Sequence, residues 1–148
     1  MKVVVQRVLE ATCTVNEKII SKIDKGYLLF VGFTQNDSSD EVKYLAKKIA
    51  NLRIFEDELG KLNKSILDMD YKILSISQFT LYGDASKGNR PSFTKALDPE
   101  KALVLYLELS NILNNEYHIK TLNGAFGEHM DISLINNGPV TILLESKW

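Results

Sequence analysis

Residues 71–81, YKILSISQFTL, carry the strongest strand signal in the chain and decide the class of fold. The stretch is rich in isoleucine, leucine and aromatic residues, which are typical of a strand. Alternation places Ser77 and Phe79 on one face and Gln78 and Thr80 on the other. The polar side chains come just past the apolar part, which indicates a strand end that opens into a site.

Towards the amino terminus, the sequence predicts more strands and a first helix. The strand-like segments are rich in valine, isoleucine and aromatic residues and comprise residues 2–8, 11–15, 18–23, 27–33 and 53–55. Ser38 and Glu41 have the spacing of a capping box, and apolar residues follow at helical intervals. A helix therefore begins near Ser38, after the first four strands.

Towards the carboxyl terminus, a loop over residues 83–98 leads into a second helix. Asp98 is suited to the N-cap and Pro99 to the first helical position. Three further strands are predicted at residues 117–122, 130–135 and 140–144. This order lacks regular βαβ alternation, so we expect one α+β domain, residues 1–148, whose curved, barrel-like, mostly antiparallel sheet carries two main helices.

Composition excludes several classes of protein. With 148 residues and a formal net charge of −1, the chain has no global field typical of nucleic-acid-binding proteins. Its single cysteine, Cys13, excludes an internal disulfide framework and is expected to be buried. The apolar start is too short for a signal peptide or a membrane span, so we expect a cytoplasmic protein without a membrane partner.

Familiar catalytic motifs are absent from the sequence. The only histidines, His118 and His129, do not occur in a metal-binding pattern, so we expect no metal. No phosphate-binding glycine loop and no G-x-S-x-G elbow occurs. Ser77 and Thr80 remain as hydroxyl groups near the expected site, and either can be a simple strand side chain.

The dipeptide Gly138-Pro139 stands directly before the apolar run VTILL. Proline donates no ladder hydrogen bond, so it belongs at a strand start, a bulge or an edge. The pattern is compatible with a turn that leads into the last strand. A rigid backbone feature at a binding site is the alternative, and the residues alone favour the turn without deciding between the two.

Five segments in register resemble the D-aminoacyl-tRNA deacylase family. They are VVQRV at 4–8, LAKKIANLRIFEDELGKLNKSILD at 45–68, SQFTL at 77–81, RPSF at 90–93 and NNGPVT at 136–141. The resemblance implies hydrolysis of the ester of D-aminoacyl-tRNA by a homodimer with active sites at the subunit interface. It implies no metal or organic cofactor.

The same resemblance assigns roles to residues. Ser77, Gln78, Phe79 and Thr80 would form the catalytic segment. Gly138 and Pro139, as a Gly-cis-Pro pair supported by Arg7, would reach into the partner's pocket and reject L-amino acids by steric exclusion. Because glycine has no side chain to reject, glycyl-tRNA is expected as a further substrate.

Contacts with the rest of the tRNA are expected from cations near the motif and on the first helix. Lys87, Arg90 and Lys95 lie in the loop after the motif, and Lys47 and Lys48 lie on the helix. Such contacts with phosphate are electrostatic and indifferent to sequence.

Two mechanisms remain open. Thr80 can act as a nucleophile, although no activating base is visible in the motif. Alternatively, the terminal 2′-OH of the tRNA assists attack by water, and backbone N–H groups near Phe79 and Thr80 bind the oxyanion. An esterase of small esters and a non-catalytic RNA-binding dimer module are the competing functions.

Overall fold

Residues 1–146, which the computed structural model describes, form eight strands, two α-helices and two short 3-10 helices. The strands are β1 (Lys2–Val15), β2 (Lys18–Ile23), β3 (Gly26–Gly32), β4 (Phe55–Glu56), β5 (Leu62–Lys64), β6 (Lys72–Ser77), β7 (Thr121–Asn123) and β8 (Asp131–Glu145). The α-helices are α1 (Ser39–Asn51) and α2 (Pro99–Asn115), and the 3-10 helices span Ile66–Asp68 and Phe79–Tyr82. Residues 147 and 148 lie outside this description.

Six strands form one sheet in the order β2-β1-β3-β6-β7, with β8 paired along the other edge of β1. Strand β1 is antiparallel to β2, β3 and β8. Strands β3, β6 and β7 are parallel to one another. The curved, mostly antiparallel sheet with two helices confirms the predicted α+β class.

The parallel part of the sheet is a feature that the sequence pattern did not predict. Helix α1 lies between β3 and β6 in the chain, and α2 lies between β6 and β7. Helical crossovers of this kind join parallel strands. The two-stranded ribbon β4–β5 stands between α1 and β6 in the chain. A regular alternation of strand and helix is therefore not visible in the sequence. As a result, the carboxyl ends of β3, β6 and β7 meet at one edge of the sheet.

Both helices begin where their capping residues predict. The Ser38 amide donates to the Glu41 carboxylate at 2.7 Å, which closes the capping box of α1. The Asp98 carboxylate accepts from the amides of Glu100 and Lys101 at the start of α2. Neither helix in residues 1–146 is long and apolar enough to cross a membrane.

Apolar side chains pack against both faces of the sheet. The larger core lies between the sheet and the helices, where Leu45 of α1 and Leu109 of α2 are fully buried. The smaller core lies on the opposite face of the sheet and contains Leu28, Leu74 and Cys13. Cys13 is fully buried in this core, as predicted, and burial raises the pKa of its thiol.

The predicted strand 71–81 is wrong beyond Ser77. Gln78 leaves strand geometry with ψ 78°, and Phe79–Tyr82 form a 3-10 turn. The turn is closed by a hydrogen bond of 2.9 Å from the Gly83 amide to the Thr80 carbonyl. The expected alternation of faces therefore stops at Ser77, and the motif residues after it sit on a turn.

Other strand boundaries also differ from the pattern. Segments 2–8 and 11–15 are one strand, β1, and segments 130–135 and 140–144 are one strand, β8. The strand expected at 53–55 covers only Phe55–Glu56, and the one at 117–122 covers Thr121–Asn123. Strands β1 and β8 are long because they pair almost from end to end. Gly138-Pro139 consequently lies inside β8 instead of starting a separate strand.

Candidate active site

A cavity of about 410 Å³ opens at the carboxyl ends of β3 and β6, beside the start of α2. Ser77, Gln78 and Phe79 form one side of it, and Leu97 and Ala102 contribute to another. Ligands of parallel sheets commonly bind outside the carboxyl ends of the strands. The cavity has the size and largely apolar lining of a small-molecule pocket.

The end of β6 and the turn after it bring three of the four predicted catalytic residues to this cavity. The Gln78 amide N–H donates to the Val31 carbonyl at 2.7 Å, which ties the turn to the end of β3. Phe79 is 58 % exposed at the rim. Thr80 does not line the cavity, but its hydroxyl accepts a short hydrogen bond from the Gln78 side-chain amide.

This hydrogen bond limits what the Thr80 hydroxyl can do. The donor is the Nε2 of Gln78, and an amide N–H cannot take up a proton from a hydroxyl. Within residues 1–146, no histidine or carboxylate hydrogen-bonds the Thr80 hydroxyl. The described residues of this chain therefore place no base at the Thr80 hydroxyl that could activate it as a nucleophile.

The loop of residues 83–98 adds a second aromatic ring to the cavity. Phe93 meets Phe79 edge to face, with ring centroids 5.2 Å apart, and both rings line the cavity. The loop is held against the body of the protein because the Thr34 hydroxyl donates to the Lys95 carbonyl at 2.5 Å. The sequence motif RPSF contained Phe93, but no periodic pattern assigned it a role.

The predicted tRNA-binding cations occupy two separate surfaces. Lys87 and Arg90 are exposed in the loop beyond the motif. The Lys95 ammonium is 2.8 Å from the Asp84 carboxylate and holds the pKa of that carboxyl well below its usual range. Lys47 and Lys48 are exposed on α1, which contributes no residue to the cavity.

Gly138 and Pro139 lie in a wide irregularity of the β1–β8 ladder. Gln6 pairs with Thr141 and Val8 pairs with Asn136, so four residues of β8 stand opposite Arg7 alone. The Gly138-Pro139 peptide bond is cis, and Gly138 has φ +139. The bulge keeps both residues exposed at the edge of the sheet.

Two side chains hold this bulge. Arg7 is only 7 % exposed, and its Nε donates to the Asn137 carbonyl at 2.9 Å. The Asn136 side chain accepts from the Val140 amide at 2.7 Å and donates to the Thr141 hydroxyl at 2.8 Å, which bridges the bulge. No sequence pattern assigns a role to Asn136, although it belongs to the NNGPVT segment.

A single chain does not bring the two predicted clusters together. Lys2 pairs with Gly32 near the cavity, whereas Arg7 lies five positions further along β1. At a strand rise of about 3.3 Å per residue, this separation is roughly 17 Å. Neither Gly138 nor Pro139 lines the cavity.

Gly138→Ala should destabilise the protein by roughly 2–4 kcal/mol, because the positive φ and the crowding add together. A Cβ at Gly138 would lie 2.7 Å from Val140 Cγ2 and 2.9 Å from Val140 N. Gly60 also has a positive φ but open surroundings, so Gly60→Ala is the matched control and should cost about 1 kcal/mol. Urea unfolding measures both; equal losses would contradict the steric argument.

Comparisons with known proteins agree on one family. The family model described as D-Tyr-tRNA(Tyr) deacylase matches residues 4–145. A D-aminoacyl-tRNA deacylase of Brevibacillus brevis is 53% identical over 146 residues, which cover 99% of this chain and 100% of that protein.

Two solved structures share the fold of this chain. One described as a c-Myc DNA unwinding element binding protein has a TM-score of 0.93 and 42% identity, covering 98% of both chains. Another, of a probable eukaryotic D-amino acid tRNA deacylase, has a TM-score of 0.85, covers 97% of both chains and is 15% identical, which shows the fold alone. The chain belongs to the D-Tyr-tRNA(Tyr) deacylase family, a family of hydrolases.

Proposed function

We propose that this protein hydrolyses the ester bond of D-aminoacyl-tRNA in the cytoplasm and releases free tRNA and the amino acid. The observation that carries the proposal is the cavity at the carboxyl ends of β3 and β6, with the SQFT turn at its rim. An aminoacylated terminal adenosine is a ligand of suitable size for such a cavity. Family membership supports the same reaction.

Selection of the D-enantiomer is assigned to Gly138 and Pro139. Enantiomers differ only in the arrangement around the Cα, so a side-chain pocket cannot separate them for many amino acids. A rigid backbone wall beside the Cα can exclude an L side chain. The hydrogen bond that Arg7 donates to the Asn137 carbonyl and the one that Asn136 accepts from the Val140 amide support this role, because they hold the exposed bulge in one position. Glycyl-tRNA escapes such exclusion and is a further substrate.

The active enzyme is a homodimer whose sites lie at the interface. The separation of roughly 17 Å along β1 between the bulge and the cavity end of the same chain supports a site to which a second copy contributes the bulge. A symmetric pair brings one chain's bulge towards the other chain's cavity if the two-fold axis passes between these features.

An apolar row between the bulge and the cavity is suited to this contact. Phe30, Val4 and Leu143 are direct neighbours across three adjacent strands. Phe30 and Val4 are half-buried, and Leu143 is 56 % exposed. Burial of such a row stabilises a dimer through the hydrophobic effect.

In the reaction, water attacks the ester with assistance from the terminal 2′-OH of the tRNA. Gln78 orients Thr80, and Ser77 and Thr80 position the substrate without forming a covalent bond to it. The amides of Phe79 and Thr80 open a 3-10 turn, where backbone N–H groups have no partner within the turn, and they bind the developing oxyanion.

The remainder of the tRNA is bound by aromatic and electrostatic contacts. Phe79, supported by Phe93, packs against the terminal adenine, since aromatic rings commonly stack on unpaired bases. Lys87, Arg90 and Lys95 contact phosphates next to the cavity, and Lys47 and Lys48 contact phosphates further away.

Hydrolysis of D-tyrosyl-tRNA and L-tyrosyl-tRNA tests the proposed function. We expect the D-substrate to be cleaved at least about a hundredfold faster, because steric exclusion discriminates more strongly than one methylene in a hydrophobic pocket. Release of radiolabelled tyrosine measures both rates. Equal rates would indicate a non-selective esterase, and binding without cleavage would indicate a non-catalytic RNA-binding module; either result contradicts the proposal.

Thr80→Ala separates the two mechanisms. If Thr80 only positions the substrate, the variant should keep at least about one-tenth of the wild-type kcat, whereas loss of a nucleophile removes far more. A substrate ending in 2′-deoxyadenosine should react at least about a hundredfold more slowly with wild-type protein. Thr94→Ala, outside the cavity lining, is the control. An inactive Thr80→Ala variant that still binds tRNA would refute this mechanism.

Leu143→Asp should convert the dimer to a monomer and remove activity together with it, because a charge would be buried at the apolar row. Sedimentation equilibrium and the D-tyrosyl-tRNA assay measure the two effects. Val104 is 64 % exposed on α2, away from the row, so Val104→Asp should remain dimeric and active. A Leu143→Asp protein that is monomeric yet fully active would contradict the interface site.

A further inference from the structure

Arg7 has a second set of contacts besides the bulge. Its Nη1 donates to the Ile54 carbonyl at 2.9 Å, and its Nη2 is 3.7 Å from the Glu56 carboxylate. The guanidinium therefore joins the bulge of β8 to the segment of residues 52–56, which leads from α1 into β4. The position of the Asn137 carbonyl depends on that segment because the same rigid group binds both.

Tyr27 of β3 contacts segment 52–56 at two points. The Tyr27 hydroxyl donates to the Leu52 carbonyl at 3.1 Å. Its ring stacks on Phe55 with centroids 5.1 Å apart and an interplanar angle of 12°. One side chain thus fixes the segment on both sides of Ile54. Burial raises the pKa of Tyr27, so the hydroxyl stays protonated and remains a donor.

Tyr27 is also the direct strand neighbour of Arg7. The two residues are partners in the β1–β3 register, so their side chains leave the same face of the sheet side by side. A continuous set of contacts runs from Tyr27 through Leu52 and Ile54 to Arg7 and then to Asn137, the residue before Gly138.

The hydrogen bond to the Ile54 carbonyl restrains the Arg7 side chain, which borders an open cavity. A cavity of about 180 Å³ lies between Arg7, Phe55, Glu56, Tyr71 and Asn137. A guanidinium that loses its hold on the Ile54 carbonyl can move into this space and release the Asn137 carbonyl. The bulge would then lose one of its two side-chain anchors.

We propose that Tyr27 and segment 52–56 form the platform that sets the position of the chiral-selecting dipeptide through Arg7. Tyr27 and Glu56 are positioning residues for substrate stereospecificity; neither touches the substrate. The inference rests on the proposed function, since it assigns Gly138-Pro139 to enantiomer selection. It adds that a core tyrosine, far along the chain from the dipeptide, decides how strictly L-amino acids are excluded.

The test compares hydrolysis of D-tyrosyl-tRNA and L-tyrosyl-tRNA by wild-type protein, Tyr27→Phe and Glu56→Gln. We expect Tyr27→Phe to lower the ratio of D to L rates about three- to tenfold, as the loss of one buried hydrogen bond predicts. Glu56→Gln should lower it about two- to threefold, because the Glu56 side chain is 58 % exposed. Arg7→Lys should lower the ratio most, since a lysine cannot bridge two carbonyls in the same way.

Tyr106→Phe is the matched control for loss of a buried tyrosine hydroxyl. Tyr106 is 1 % exposed, and its hydroxyl donates to the Ser75 carbonyl at 2.6 Å without any link to Arg7. This variant should lose thermal stability to a similar extent but keep the wild-type ratio. A double variant of Tyr27→Phe in the Arg7→Lys background should show no further fall, because Tyr27 acts through Arg7.

The outcomes separate the inference from the function on which it rests. A wild-type protein that cleaves both enantiomers equally, or neither, overturns both. A selective wild-type protein whose ratio falls in Arg7→Lys but not in Tyr27→Phe and Glu56→Gln overturns the inference alone. Equal falls in Tyr27→Phe and Tyr106→Phe, or additive effects in the double variant, also overturn it. If Tyr27→Phe does not fold, the ratio of Glu56→Gln decides.

Discussion

Arg7 is a nearly fully buried cation, and its hydrogen bonds join parts of the chain that are far apart in sequence. The guanidinium binds the carbonyls of Ile54 and Asn137, which lie 47 and 130 positions from it. A buried charge is tolerated only where such partners surround it, so both segments must be in place for the native state to form. The bulge that carries Gly138 and Pro139 is therefore positioned by the core of the protein as well as by the local hydrogen bonds of Asn136.

The cavity arises from a different constraint, the parallel part of the sheet. Because α1 lies in the crossover between the parallel strands β3 and β6, these strands finish side by side, and the SQFT turn follows β6 at that edge. The loop of residues 83–98 then covers the edge with Phe93. The cavity, the SQFT turn and Phe93 lie at one end of the sheet, whereas the bulge lies along the length of β8. For this reason the proposed reaction is assigned to a site shared by two copies of the chain.

Much of the architecture was predictable because it depends on local signals. Ser38 and Asp98 begin their helices where the capping pattern places them, and alternating apolar residues identify most strands. The predicted strand boundaries differ from the structure where pairing between strands decides where a strand ends. The strand signal of residues 71–81 continues past Ser77, but the chain turns at Gln78, whose amide binds Val31 of a neighbouring strand. No sequence pattern contains that partner.

The sequence by itself determined the α+β class, the helix starts and the motif segments, since propensity, capping and periodicity act over a few neighbouring residues. Only the tertiary structure decided that β3, β6 and β7 are parallel and that Gly138-Pro139 sits in a bulge opposite Arg7. It also linked Tyr27 and Asn136 to that bulge. These features depend on hydrogen bonds between residues that are distant in the chain. The free energy of such a hydrogen bond depends on its burial and geometry, which exist only once the strands have paired.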